Sequence, residues 1–193
     1  RRVLYVGQGW ETHIKLVLMP KFNEWWPKNR ALSTKKNNQG VDAVWVDERT
    51  KSNLTVMSNN QDSKEFEGGD YDLIIYDEPP KRDIRVACSR GLIDRQGKEL
   101  FCMTLLSEAW VKREVISARL PDGSPDPTIF NINGEIDSNV GYGLTQEGVD
   151  QFVKTLKPHE VEARIKGKPS FMSNLVCPEF DVSKHVKDRF KVP

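Results

Sequence analysis

The chain has 193 residues, enough for one domain or for a compact domain with a small appendage, and 37% of its residues are apolar. No apolar run approaches the roughly 18 residues that a membrane span requires, which argues against a membrane or secreted protein. The net charge is +1, so any contact with nucleic acid has to come from a local patch.

The first predicted elements are a strand and a helix. Arg2 to Gly7 is an apolar run closed by glycine, which predicts a strand. Apolar residues then recur at helical spacing from Trp10 to Trp25, and Pro20 predicts a kink or a fresh helix start. Trp10 and Trp25 share the apolar face, so we expect both in the core.

A polar stretch and a β-hairpin follow. Residues 28 to 40 are rich in Asn and Lys, which favours a loop. Ala43 to Asp47 and Leu54 to Ser58 are β-prone runs on either side of a polar segment. They predict a hairpin, or two strands around a longer loop.

Two uninterrupted apolar runs then flank a helical pattern. They are Leu73 to Tyr76 and Leu100 to Leu106, with Ile84, Ala87 and Cys88 on one helical face between them. Runs of this kind predict central, neighbouring parallel strands. The alternation of strand and helix predicts an α/β domain with a largely parallel sheet flanked by helices.

The character of the sequence changes near residue 120, where PDGSPDP marks a linker. We therefore predict a core domain over residues 1–120 and a small, mainly helical appendage over residues 121–193. Ile129 to Ile132 is the one strand-like run expected there. Thr145 predicts a helix start, and a second short helix is expected from Pro158.

Cysteines and histidines show no pattern of a metal or redox site. Cys88, Cys102 and Cys177 are odd in number and far apart, as expected of reduced cytoplasmic thiols. None of the three histidines has a partner at metal-ligand spacing: His13, His159 and His185.

The strongest chemical signal is LIIYDEPP, where a buried strand ends on Asp77 and Glu78. Ligands bind at the carboxyl edge of open α/β sheets. In P-loop ATPases one acid at this place helps to hold Mg²⁺, often through water, and the next polarises the water that attacks the γ-phosphate. A solvated acidic turn is the alternative. Thr104, a hydroxyl within the next apolar run, is either a β-former bonded to backbone or a γ-phosphate sensor.

The sequence from Glu67 to Ile116 resembles the Walker B to coupling-motif region of viral terminase large subunits of the tailed-bacteriophage type. The later stretches HEVEARIKGKP and VCPEFDVSKHV resemble the segment that leads from the terminase ATPase to its nuclease domain. The match covers most of the chain in the family's order. It implies a P-loop NTPase fold of the additional-strand type.

The resemblance implies a motor that couples hydrolysis of ATP with Mg²⁺ to movement of double-stranded DNA into a procapsid, in the host cell cytoplasm. Asp77 is then the acid that binds the metal and, with it, the nucleotide cofactor. Glu78 is the general base, and Thr104 is the coupling residue. The implied partners are DNA, the portal protein, the small terminase subunit and further copies of the chain in a ring.

The chain departs from the family in three ways. No GxxxxGK[ST] loop occurs, so we expect a fragment that begins after the phosphate loop and is inactive alone. The FxG element reads Phe66-Glu67-Gly68 without an arginine, which leaves Arg90 and Arg95 as possible arginine fingers. The chain also stops about where the first nuclease acid is expected.

Two other functions remain open from the sequence. One is another P-loop translocase or helicase-like ATPase with the same Asp-Glu strand end. The other is a non-enzymatic module that binds a portal or DNA.

Overall fold

The computed structural model describes residues 1–106, 108–169 and 186. The chain divides into two compact units, Arg1–Thr104 and Leu105–Pro193. The predicted boundary at residue 120 therefore falls within the second unit. No helix in the described residues is long and apolar enough to cross a membrane.

The first unit is built on one six-stranded sheet. Its strands are β1 (Arg2–Gly7), β2 (Leu32–Lys36), β3 (Asp42–Asp47), β4 (Asn53–Ser58), β5 (Leu73–Asp77) and β6 (Lys98–Cys102). They lie in the order β2-β3-β4-β1-β5-β6. Strands β4, β1, β5 and β6 are mutually parallel, whereas β3 runs antiparallel to β2 and to β4. The predicted largely parallel α/β sheet, the β3–β4 hairpin and the β5–β6 pairing are confirmed.

Helices cover both faces of this sheet. The side chains of β1 alternate between the two faces and pack against a different helix on each. Leu4 and Val6 pack with Ile84 and Cys88 of helix α2 (Arg82–Ile93). Tyr5 points the other way and packs with Ile14 of a π-helix, Trp10–Leu18. Helix α1 (Met19–Trp25) follows directly.

The predicted helix from Trp10 to Trp25 is helical throughout and changes from a π-helix to an α-helix at Met19, next to Pro20. Leu18 and Met19 both keep right-handed helical dihedrals, so the backbone makes no fresh start at the predicted kink or restart. The wider π-turn changes which side chains face the core. Trp10 is partly buried against the core, but Trp25 is 72% exposed, so the prediction of a core Trp25 was wrong. Trp26 instead stacks on Phe22, with ring centroids 5.2 Å apart.

Two strand predictions also need correction. Residues 28–40 were predicted as loop but contain β2, a polar strand at the end of the sheet order whose composition gives no apolar signal. Strand β6 begins two residues before the predicted run and ends four residues before its end, and it lies last in the strand order of the described residues, so it is not central. Leu100 is 47% exposed because only the opposite face of β6, with Phe101, packs on the core.

The second unit contains helices and no strands over its described residues, and fewer than half of those residues are helical. It contains α3 (Ala109–Val111), a π-helical turn (Lys112–Ile116), α4 (Gln146–Thr155) and α5 (Pro158–Arg164). Both predicted helices are confirmed, and Thr145 caps α4 by accepting a hydrogen bond from the Gly148 amide at 3.1 Å. The predicted strand at residues 129–132 is wrong: these residues form no strand, and Phe130 is 87% exposed.

Candidate active site at the carboxyl edge of the sheet

The four parallel strands end at one edge of the first unit. Gly7 of β1 is in register with Ser58 of β4, and Asp77 of β5 is in register with Cys102 of β6. Parallel α/β sheets bind ligands at this edge. The predicted pair Asp77 and Glu78 therefore lies where the sequence pattern placed it.

The Asp77 carboxylate is held by two side chains. Its Oδ2 accepts a hydrogen bond from the Tyr5 hydroxyl. The same oxygen lies 3.0 Å from Nε2 of His13, in the first turns of the π-helix. Both polar contacts that the Asp77 side chain makes with the described residues fall on Oδ2, and the side chain is 33% exposed. Oδ1 is thus left to accept an external ligand.

The proton of the His13 ring is placed by the backbone. Nδ1 accepts a hydrogen bond from the Gln8 amide at 3.2 Å. A neutral imidazole whose Nδ1 accepts carries its proton on Nε2. The ring proton is therefore on Nε2, which lies 3.0 Å from Oδ2 of Asp77 without the alignment of a hydrogen bond.

Tyr5 keeps its proton for the same carboxylate. Burial, and then the hydrogen bond and negative charge of Asp77, raise the pKa of the Tyr5 hydroxyl well above its ordinary value. A phenol that stays protonated across the physiological pH range is a permanent donor.

Glu78 adopts an unusual backbone conformation directly after β5. Its φ is +74°, in the left-handed region that side chains other than glycine rarely occupy. Its amide donates to the Cys102 carbonyl at 2.8 Å, and its Oε2 accepts from the Thr104 amide at 3.1 Å. The turn thereby aims the Glu78 carboxylate across the end of β6, and such strain is typical of functional sites.

Thr104 lies two residues beyond the end of β6 and not within a strand as predicted. The structure brings it to Glu78, but through its backbone amide and not through its hydroxyl. Because β6 ends at Cys102, the chain is free to turn towards Glu78 at this point.

Asn59 fixes the loop after β5 and was missed by the sequence reading. It is 8% exposed, and its amide donates to the Gly7 carbonyl at 2.7 Å. Its Oδ1 accepts from the Lys81 amide at 2.9 Å, and its Nδ2 lies 3.5 Å from the Pro79 carbonyl. The backbone amide of Asn59 thus ties the end of β4 to the end of β1, and its buried carboxamide ties both to the turn that carries Glu78.

The two candidate arginine fingers lie elsewhere. Arg95 contacts Asp72 at 3.0 Å and Asp70 at 3.3 Å, just before β5 and therefore at the opposite, amino edge of the sheet. Hydrogen bonding to Asp72 raises the pKa of Arg95, and the reciprocal bond lowers the pKa of Asp72. Arg90 is exposed in the last turn of α2. Neither is brought to Asp77 within one chain.

The donor set at this edge is compatible with a hard, oxygen-binding cation such as Mg²⁺. The described residues contain no cluster of three or more His, Cys, Asp or Glu side chains that could hold a metal. A single carboxylate with one free oxygen matches Mg²⁺, which keeps several waters and is often shared with substrate phosphates. Asp77 fits that role.

Tyr5 and His13 escaped the sequence reading for a simple reason. Tyr5 is 72 residues from Asp77 in the sequence, and no local spacing links them. The available signal was Tyr5 itself, a hydroxyl in an apolar strand next to the strand that ends on two acids. His13 carried no signal beyond following that strand.

Comparison with solved structures identifies the fold. The chain aligns with the large terminase of a thermophilic bacteriophage with a TM-score of 0.70 and 11% identity, over 96% of this chain and 45% of that one. The alignment with the same terminase in complex with ADP has a TM-score of 0.69 and 13% identity, over 100% of this chain and 46% of that one. The alignment with the large terminase ATPase domain of a Thermus phage has a TM-score of 0.56 and 12% identity, over 85% of this chain and 74% of that one.

The chain therefore has the fold of these large terminases, as the sequence predicted, and spans a little under half the length of the first of them. No protein-family model matches the sequence, and no curated protein does.

Proposed function

We propose that this chain is part of the ATPase region of a viral terminase large subunit, a motor that uses ATP with Mg²⁺ to move double-stranded DNA into a procapsid. The observation that carries the proposal is the Asp77-Glu78 pair at the carboxyl edge of β5, with Glu78 turned towards Thr104. The fold likeness to large terminases, one of them in complex with ADP, supports it.

Asp77 takes the role of the metal acid. Its Oδ2 is occupied by Tyr5 and His13, so Oδ1 is the oxygen available to Mg²⁺ or to a water bound to it. When bound, Mg²⁺ neutralises charge that develops on the phosphate oxygens. We expect Asp77→Asn to weaken binding of Mg²⁺ and, with it, of the nucleotide.

Glu78 takes the role of the general base. A carboxylate at this edge orients the attacking water and accepts its proton on a carboxylate oxygen. Oε2 is engaged by the Thr104 amide, which fixes the carboxylate and leaves Oε1 for the water. The positive φ of Glu78 supports this assignment because strained residues cluster at active sites.

The phosphate cradle is assigned to residues outside this sequence, because no GxxxxGK[ST] loop occurs in it. We expect this chain alone to hydrolyse ATP no faster than background. The parent protein would act in a homo-oligomeric ring with the portal protein and the small terminase subunit, in the host cell cytoplasm. Arg90 is the better finger candidate for a neighbouring subunit, since it is exposed while Arg95 is bound to two carboxylates.

A packaging assay tests the proposal. The parent protein, purified with procapsids and the small subunit, should protect double-stranded DNA from nuclease in an ATP-dependent reaction. A strand-separation assay on the same preparation is the comparison. ATP-dependent unwinding without protected DNA would favour the helicase-like alternative, and DNA or portal binding without hydrolysis would favour a binding module.

A further inference from the structure

We propose that Tyr5 and His13 are positioning residues that lock the Asp77 carboxylate so that Oδ1 is presented to the metal; this inference rests on the proposed function. The two side chains reach one oxygen from two elements. Tyr5 comes from β1, the neighbour of β5 in the sheet, and His13 comes from the π-helix that follows β1.

A carboxylate that has two contacts on one oxygen rotates less freely than a carboxylate that has a single contact. The terminal torsion of Asp is broad and nearly two-fold, so a carboxylate with a single donor is free to exchange its oxygens. Tyr5 and His13 both engage Oδ2, which removes that freedom. A fixed outer-shell partner orients a ligand before the metal arrives.

The supporting elements are themselves closely fitted. A Cβ added at Gly7 would stand 2.9 Å from Cγ1 of Ile14, so glycine is needed for the π-helix to approach β1. Ile14 is fully buried in the core beneath the helix. The Gln8 amide then sets the His13 proton, as described above. The turn between β1 and the π-helix thereby delivers His13 to Asp77.

The test measures metal-dependent nucleotide affinity in the full-length parent protein. Fluorescent mant-ADP is titrated with Mg²⁺ and, separately, with EDTA. Tyr5→Phe and His13→Leu should each lower the affinity gained from Mg²⁺ by ~10-fold or more, the usual effect of removing an outer-shell partner. Affinity in EDTA should not change. His13→Gln, which keeps an N–H donor, should recover part of the loss.

Tyr76→Phe is the matched control. Tyr76 lies in the same sheet and its hydroxyl donates to Oε1 of Glu99 at 3.1 Å, on the face opposite Tyr5. The variant therefore loses a hydrogen bond from a tyrosine to a carboxylate while both contacts of the Asp77 side chain remain. Its ratio of affinities with Mg²⁺ and EDTA should equal that of the wild type.

The outcomes separate the inference from the function. If the wild type binds mant-ADP with a Mg²⁺-dependent gain, and both Tyr5→Phe and His13→Leu retain that gain, the positioning role is wrong and the proposed function stands. If the wild type binds no nucleotide, the proposed function itself fails. If Tyr5→Phe does not fold, the more exposed His13 and its Gln variant still decide the question.

Discussion

At the residue scale, the backbone of Glu78 links the two strand ends of the candidate site. A left-handed conformation costs a residue other than glycine about 1–2 kcal/mol. The Cys102 carbonyl and the Thr104 amide both bond to Glu78, and these contacts offset that cost. Because Thr104 contributes its amide, its hydroxyl remains available for another role.

We therefore expect Thr104→Val to separate hydrolysis from DNA movement. Valine keeps the amide that holds Glu78 and removes only the hydroxyl, so ATP hydrolysis and melting temperature of the parent protein should stay close to wild type. The ATP consumed per base pair packaged should rise severalfold. An unchanged ratio, measured by phosphate release during packaging, would remove Thr104 from the coupling machinery.

The thiol of Cys102 reports on the charge of Asp77. Partial burial and then the negative charge of Asp77 raise the pKa of Cys102. Asp77→Asn removes this negative charge and should lower the pKa of Cys102. The thiolate is the form that reacts with an alkylating reagent, so alkylation of Cys102 should be severalfold faster at a pH near 8.

Peptide mass spectrometry measures the alkylation rate at each cysteine of this chain. Asp94→Asn removes an exposed carboxylate at the far end of α2 and should leave Cys102 unchanged. Cys88 is an internal control, because burial raises its pKa to about 12. An equal Cys102 rate in Asp77→Asn and wild type would show that the two groups do not interact.

At the element scale, runs of apolar residues predicted the strands that meet at the site, because buried parallel strands have to be apolar. The acids at the end of β5 followed from the same pattern. Strand β2 was missed because an exposed edge strand has no such requirement, and four of its five residues are exposed. The contacts of Asp77 with Tyr5 and His13 arise from sheet order and a π-helix, neither of which leaves a local signature.

The amino edge of the sheet gives a test of Arg95. Its ion pairs join the start of β5 to the turn before β6. The pKa of Asp72 is lowered mainly by Arg95, so this pairing stabilises the fold fully above the unfolded pKa of about 3.9 and less as the pH falls through the lower folded value.

Arg95→Gln should therefore lower the melting temperature of this chain at neutral pH, by a few degrees at most since the pair is partly exposed. The difference in melting temperature between Arg95→Gln and wild type should disappear at acidic pH. Arg90→Gln is the matched control and should melt like wild type at every pH. Equal melting of Arg95→Gln and wild type at neutral pH would mean that the ion pairs are not stabilising.

At the scale of the whole molecule, the carboxyl edge concentrates the chemistry. Asp77, Glu78, the Thr104 amide that bonds to Glu78 and the buried Asn59 all lie in the first unit, Arg1–Thr104. Their backbone framework is fixed by the sheet and by Asn59, so a substitution that preserves shape at Glu78 should change chemistry alone. The second unit adds helices and an exposed segment that includes Phe130.

Hydrolysis by a Glu78→Gln variant of the parent protein is the most direct test. Glutamine keeps an acceptor for the Thr104 amide and loses the base, so single-turnover ATP hydrolysis should fall by ~10²–10⁴-fold while mant-ADP affinity and melting temperature are retained. Glu24→Gln, on exposed α1, should hydrolyse ATP at the wild-type rate. Wild-type hydrolysis and packaging by Glu78→Gln would show that Glu78 is only an acid at a strand end, and that the catalytic centre lies elsewhere.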